Sequence, residues 1–303
     1  MNYIEKIIYS GVLNDTLAII TEPAANVQPK LLVILTNAGL RCRIGPHRLY
    51  TELARRMAQY GCVVIRYESI CTGDAEKGLN LNSVDDYFIE VEKGLYVDGL
   101  KRIILLASEL YPELNICLGG LCGGALTSIY TYEKLSNDIK NKIDSFFLLG
   151  LVFFKLSSSN TGVMPDAVAM HVTKGYIKKL TDIHSWKNLF KGNTNIKLAF
   201  NAILNNLFNK FKRKRTDAPD NINIRLVNAI KILLKAKKNI FFAYGEHDIL
   251  LKEYEEYFEN YLLKVNSWID NNHFKKLVIP DDSHNLFYQN SIEILTKRFI
   301  EWV

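Results

Sequence analysis

The stretch Leu114-Asn-Ile-Cys-Leu-Gly-Gly-Leu-Cys-Gly-Gly-Ala-Leu126 decides how the rest of the chain is read. A short apolar run ends in two glycines, one residue separates them from Cys122, and two more glycines open the helix-like pattern Ala125 to Tyr130. That order predicts a strand over Leu114 to Leu118, a sharp turn and a helix over Ala125 to Leu135. The cluster Gly120-Leu121-Cys122-Gly123-Gly124 fits the G-x-S-x-G nucleophile elbow with cysteine in the serine position. Small flanking residues are needed there because strand and helix backbones nearly touch. A side chain held at such a turn is pushed out at the top of a sheet, where the N-terminal end of the helix favours a thiolate and a developing oxyanion. The competing reading is a buried, inert cysteine at an ordinary strand-to-helix crossing.

Outward from this point the chain alternates strand and helix. Glu5 to Ser10 and Thr16 to Thr21 predict an opening hairpin, and Leu31 to Thr36 is the dense apolar run expected of a strand buried on both faces of a parallel sheet. Pro46 opens a helical pattern through Leu49, Leu53, Ala54 and Met57 that stops at Gly61, and Cys62 to Tyr67 reads as the next strand, completing a βαβ unit. A loop from Gly73 to Asn82 leads to a helical pattern through Val84, Tyr87, Val91 and Leu95, with a second portion from Ile103 to Leu110. Strands follow at Ser145 to Gly150, Asn239 to Tyr244 and Phe274 to Ile279, and Ile292 to Val303 closes as an amphipathic helix. The rhythm breaks between them. Residues 151–238 mix a Ser/Asn/Thr loop with amphipathic segments such as Ile196 to Phe211 and Ile224 to Leu234, which predicts a mainly helical cap inserted into a core made of 1–150 and 239–303.

The 303 residues, 48% hydrophobic and 23% charged, are those of an ordinary globular protein large enough for a substantial core. No signal peptide and no apolar run long enough to span a bilayer is read, and five scattered cysteines (Cys42, Cys62, Cys71, Cys117, Cys122) lack metal-ligand spacing. They predict reduced thiols in a cytoplasmic protein with no metal and no cofactor. The net charge of +6 is uneven: Lys187 to Lys238 holds thirteen Lys or Arg against two acidic residues, a local +11. Lys210-Phe-Lys-Arg-Lys-Arg215 lies within it, but no nucleic-acid-binding fold accompanies the run, and no nucleic-acid partner is expected.

A cysteine nucleophile needs a base, an acid to orient it and oxyanion donors. Gly245-Glu-His-Asp248 follows one late strand and Asp281-Asp-Ser-His284 the next. Cys122, Asp248 and His284 thus occur in the order nucleophile, acid, base, each at the end of a core strand. Glu246, Asp281 and Asp282 are competing acids, and Asp248 could equally cap the helix-like segment from Ile249. His47 reads as structural or substrate-facing. Gly123 N–H is the first expected oxyanion donor, and Gly39 or Leu40, in the loop after Leu31 to Thr36, supplies the second.

With these residues assembled, the chain resembles the α/β-hydrolase superfamily over nearly its whole length, and within it is similar to the serine-aminopeptidase-like group that includes exosortase-associated hydrolases. The similarity is most specific in Asn37-Ala-Gly-Leu-Arg-Cys-Arg-Ile-Gly-Pro-His-Arg48, in Arg66-Tyr-Glu68 and in Thr72-Gly-Asp74. It departs from that group in Cys122 for the usual serine, Glu68 for an aspartate, and Ile70-Cys71 for an arginine-glycine pair. The resemblance implies a mostly parallel central sheet flanked by helices.

Cysteine alters the expected chemistry. Its acyl-enzyme is a thioester, which reacts well with amines and thiols as well as with water. The first expectation is therefore a thioesterase or an acyltransferase/cyclase working through a Cys-His-Asp triad. The basic cap would attract an acidic acyl carrier protein or coenzyme A phosphates bearing the acyl group. A carboxylester or lactone hydrolase is the alternative, and a non-catalytic binding protein of the same fold is the alternative of another class.

Overall fold

Apolar runs without alternation need cover on both sides, and the fold supplies it with helices on each face of one sheet. The computed structural model describes residues 3–10, 16–70, 72–75, 83–155, 222–286 and 288–303. Among them lie β1 (Tyr3–Ser10), β2 (Thr16–Pro23), β3 (Leu31–Thr36), β4 (Cys62–Tyr67), β5 (Ile116–Leu121), β6 (Ile143–Leu149), β7 (Asn239–Gly245) and β8 (Phe274–Ile279). Their order in the sheet is β1-β2-β4-β3-β5-β6-β7-β8. The β1–β2 and β2–β4 pairs are antiparallel, and every pair from β4 to β8 is parallel.

The helices are α1 (Leu49–Gln59), α2 (Val84–Lys93), α3 (Val97–Leu110), α4 (Gly123–Glu133), α5 (Asn137–Lys142), α6 (Ile224–Lys235), α7 (Ile249–Glu253) and α8 (Gln289–Ile300). A π-helical segment, Tyr254–Leu262, extends α7. On one face α1 and α8 pack Leu53, Met57, Leu295 and Phe299 against Val33, Val64 and Phe147. On the other, α3, α4 and α6 pack Ile104, Ile129 and Ile230 against Ile34, Leu118 and Phe146. The strand-end loops between β3 and β8 therefore converge at one edge of the sheet, which is where an open α/β sheet forms its crevice.

Several boundaries differ from the sequence reading, each for a visible reason. The elbow strand is Ile116–Leu121 and not Leu114 to Leu118, because Gly119 and Gly120 remain in register with Phe147 and Leu148. Those glycines are strand residues squeezed by their neighbours: a Cβ on Gly119 would stand 2.6 Å from Phe147 O, and one on Gly120 2.6 Å from Thr36 O. The pattern from Val84 is broken at Gly94, whose φ of 106° ends α2 before α3 begins. α5 buries no residue, so it carries no apolar periodicity by which to find it.

Ile224–Lys235, assigned to the cap by sequence, buries Leu226, Ile230 and Leu233 in the core shared with α4. Residues 156–221 of that segment, including Ser157 to Thr161, Ile196 to Phe211 and the basic run Lys210 to Arg215, lie outside the described residues, as do Cys71 and residues 76–82. No helix among the described residues is long and apolar enough to cross a membrane.

The glycine geometry yields a matched pair of substitutions. Gly124→Ala would drive a methyl into Thr36 O and to 2.7 Å from Asn37 O, whereas a Cβ on Gly99, in α3, meets nothing within 4 Å. Urea unfolding should show Gly124→Ala destabilised by about 1–3 kcal/mol or more, and Gly99→Ala unchanged or more stable by up to about 1 kcal/mol. Equal effects would contradict the packing described.

Candidate active site

The elbow is built by backbone contact. β3 runs so close beside the turn that Gly120 and Gly124 both lie against Thr36 O. Between them Cys122 takes φ 55° and ψ −114°, a left-handed conformation costly for a residue with a side chain. The turn is held by Cys122 N–H donating to Leu149 O at 2.8 Å and by Leu126 N–H donating to Cys122 O at 3.2 Å. Tyr50, buried in α1, completes the clamp: its hydroxyl accepts from Leu121 N–H at 2.6 Å and donates to Thr36 O at 2.8 Å. Sequence reading missed Tyr50, which looked like one more residue on the apolar face of a helix.

Cys122, His284 and Asp248 come together. The His284 side chain shares the cleft with Cys122 and reaches Asp248 Oδ2 through Nδ1 at 2.9 Å. Both readings of Asp248 hold simultaneously, because its other oxygen, Oδ1, accepts Leu250 N–H at 3.0 Å and caps α7. Its side chain is 1% exposed against 35% for that of His284. None of the rival acids is seen hydrogen-bonded to His284: Glu246 Oε2 accepts Asp281 N–H at 3.1 Å and Asp282 Oδ1 accepts Ser283 N–H at 2.7 Å. The imidazole rests on Gly150, where a Cβ would stand 2.6 Å from His284 Cε1. That glycine, with φ 50°, was read only as the end of a strand.

Burial works against charging His284, but its hydrogen bond to Asp248 and the nearness of Asp248 and Cys122 reverse the effect and push its pKa up to about 10. The other described cysteines differ. Cys62 lies buried in β4 with its thiol pushed up to about 12 by desolvation, and Cys117, buried in β5, is also raised by desolvation. Neither is a thiolate near neutral pH. Cys42, Cys62, Cys117 and Cys122 form no disulfide.

Facing the elbow is the loop after β3. The Gly39 nitrogen lies 3.7 Å from where a Cβ on Gly123 would stand, so the two segments expected to supply oxyanion donors are neighbours. Farther along the loop, Arg43 is ion-paired with both Glu68 and Asp74, the latter at 2.8 Å. Gly73 packs directly on the Glu68 carboxylate, leaving room for glutamate in place of the shorter aspartate. A cleft of about 420 Å³ opens above, lined by Gly39, Leu40, Arg41, Phe88, Cys122 and His284 among others. His47 is exposed near this loop in a left-handed conformation, φ 47°. Glu246, His247 and Asp281 bring ligand atoms within 4.8 Å of one another on the loops that carry Asp248 and His284, but all three are exposed, and such groupings are common without an ion.

The raised imidazole pKa has a testable sign. A folded-state value above the unfolded one, about 6.5, contributes stability that is full below that pH and is lost as pH rises through about 10. The stability gap between wild type and His284→Asn, measured by urea unfolding, should therefore be widest near pH 6.5 and shrink toward pH 10. A gap that stays constant would show that His284 is not held as imidazolium.

Neither a protein-family model nor a curated protein matches this sequence. Solved structures do resemble it in fold. An esterase from Pyrococcus furiosus aligns over 99% of this chain and 89% of its own, at 16% identity and a TM-score of 0.53. A Thermus thermophilus protein aligns over 100% and 98%, at 12% identity and a TM-score of 0.58. A dienelactone hydrolase from Anabaena variabilis aligns over 100% and 97%, at 10% identity and a TM-score of 0.55. With the strand order and the helices on both faces, these likenesses show that the chain has the α/β-hydrolase fold.

Proposed function

We propose that the chain is a cysteine-dependent acyl hydrolase that cleaves carboxylic esters or lactones. Cys122 is the nucleophile, His284 the general base and acid, Asp248 the group that orients it, and Gly123 with Gly39 or Leu40 supplies the oxyanion donors. The observation that carries this reading is that the elbow Cys122 and His284 line one cleft, with His284 hydrogen-bonded to buried Asp248 at 2.9 Å.

In this reading the Cys122 thiolate attacks the ester carbonyl carbon, a C–S bond forms, and the carbonyl electron pair moves onto oxygen, where the backbone N–H groups stabilise it. As that oxyanion collapses, the C–O bond to the leaving group breaks, and His284 gives its proton to the departing alkoxide. Water then attacks the acyl thioester while His284 takes its proton, the C–S bond breaks, and the carboxylic acid leaves with Cys122 restored. Asp248 keeps Nδ1 protonated so that Nε2 does the proton transfer.

The activities named for the structural neighbours, esterase and dienelactone hydrolase, favour esters and lactones over the thioester expectation from sequence. One observation keeps acyl transfer from a thioester as the second reading: the sulfur itself, which equilibrates readily with thioesters. The carrier-protein docking expected at the basic cap falls outside the described residues. The substrate's charge is addressed by Arg41. It is exposed at the rim of the cleft and has no carboxylate partner among the described residues, unlike Arg43 and Arg48 on the same loop. An ester carrying an anionic group suits that rim.

Intact-protein mass after mixing with p-nitrophenyl butyrate should show an acyl adduct on wild type and none on Cys122→Ala, whose turnover should fall at least about 100-fold. Equal turnover would remove Cys122 from the chemistry, and the absence of both adduct and turnover on wild type would leave the non-catalytic reading. In the same assay, Arg41→Gln should raise KM about 5-fold or more for a hemisuccinate ester and leave the neutral butyrate unchanged. A parallel rise for both esters would exclude a charge-reading role.

A further inference from the structure

The oxyanion loop leaves open which of its two N–H groups faces the reacting carbonyl, and buried side chains behind the loop bear on that choice. Asn37, 1% exposed at the end of β3, donates from Nδ2 to Gly39 O at 2.6 Å. A backbone carbonyl only accepts, so the amide nitrogen must face Gly39, and Asn37 Oδ1 must face the other way. There Ser69, itself 3% exposed, donates its hydroxyl proton to Oδ1. Ser69 is fixed in turn, because its carbonyl accepts from both the Thr72 hydroxyl at 2.8 Å and Thr72 N–H at 3.1 Å. The chain of bonds thus runs from the β4 loop, through two buried side chains, to one carbonyl oxygen of the oxyanion loop.

That oxygen belongs to the Gly39–Leu40 peptide. In a trans peptide C=O and N–H point in opposite directions, and no cis bond occurs among the described residues. Holding Gly39 O toward buried Asn37 therefore turns Leu40 N–H away from the interior, while Gly39, Leu40, Cys122 and His284 line the same cleft. The Ala38 carbonyl accepts Arg41 N–H at 3.0 Å, closing a tight turn, and the positive φ of 56° at Gly39 lets the central peptide of that turn stand this way round. Among the described residues Leu40 N–H meets no acceptor of its own.

We infer that Asn37, locked by Ser69, is a positioning residue that sets the Gly39–Leu40 peptide so that Leu40 N–H, beside Gly123 N–H, is the second oxyanion donor. The inference rests on the acyl-hydrolase reading and deepens it. Acylation of Cys122 by an ester needs the donor, because negative charge develops on a carbonyl oxygen. Alkylation of the same sulfur by iodoacetamide is displacement at a saturated carbon and develops no such charge. The two reactions separate donor geometry from thiolate supply.

The experiment measures both rate constants on the full chain, with p-nitrophenyl butyrate for acylation and iodoacetamide for alkylation of Cys122, identified by peptide mass. Asn37→Asp replaces the donating amide by an acceptor facing Gly39 O, and should slow acylation about 10- to 100-fold, toward the loss seen when one oxyanion donor is removed, with alkylation unchanged within about 2-fold. Ser69→Ala, a milder change that leaves Asn37 in place, should show the same ester-only pattern at several-fold. Acylation at the wild-type rate in both variants overturns the inference and leaves the acyl-hydrolase reading intact. Acylation and alkylation falling together in both variants also overturns it, since Asn37 and Ser69 would then be supporting the whole elbow. Absence of any acyl adduct on wild type overturns both readings at once.

Discussion

One backbone contact underlies the whole site. The carbonyl of Thr36 lies where Cβ atoms on Gly120 and Gly124 would have to be, so the last residue of β3, the last turn of β5 and the first turn of α4 share one small volume. Side chains are excluded from that volume, and Cys122 is left in a left-handed conformation with its sulfur outside it. Strain of this kind persists only where the surroundings over-determine it. Here Tyr50 ties both strand ends and Leu149 holds the Cys122 N–H. The Thr36 end of β3 also begins the loop that carries Gly39 and Leu40, so Cys122 and that loop are positioned from one anchor.

The electrostatics follow from where charge is buried. Asp248 has almost no solvent of its own and divides its two oxygens between a helix N-terminus and an imidazole. His284 is half-enclosed on Gly150, with a carboxylate on one flank and a sulfur on the other, an arrangement that favours imidazolium. Nearby Glu253, wholly buried on α7, is pushed well above the ordinary carboxylate range by desolvation, and it accepts Phe153 N–H at 3.3 Å. That hydrogen bond ties α7 to the segment leaving β6. The thiols of Cys62 and Cys117, lacking any such partner, stay protonated.

At 10–16% identity to its structural neighbours the chain keeps their architecture while differing in most side chains. That tolerance has a physical origin. The core asks only for apolar volume on both faces of a parallel sheet, whereas the elbow asks for absent side chains at particular points. Glu68 illustrates the margin available elsewhere, since its longer side chain is accommodated by Gly73 and neutralised by Arg43.

The mostly parallel sheet with its flanking helices, and the placing of Cys122, Asp248 and His284 at strand ends, were legible in the chain itself, because buried parallel strands read as unbroken apolar runs. The elbow glycines were legible as a cluster, but their work was not: Gly119 and Gly120 looked like a turn and are strand, since only the neighbouring carbonyls reveal why no side chain fits. Gly150 under the imidazole, Tyr50 across the strand ends, and Ser69 behind Asn37 left no local signal, for each acts through contact with residues distant in sequence. The sequence by itself determined the periodicities, and with them the fold class. Only the tertiary structure decided which oxygen of Asp248 faces His284 and which way the Gly39–Leu40 peptide points, because hydrogen-bond direction depends on partners that come together only when the sheet has closed.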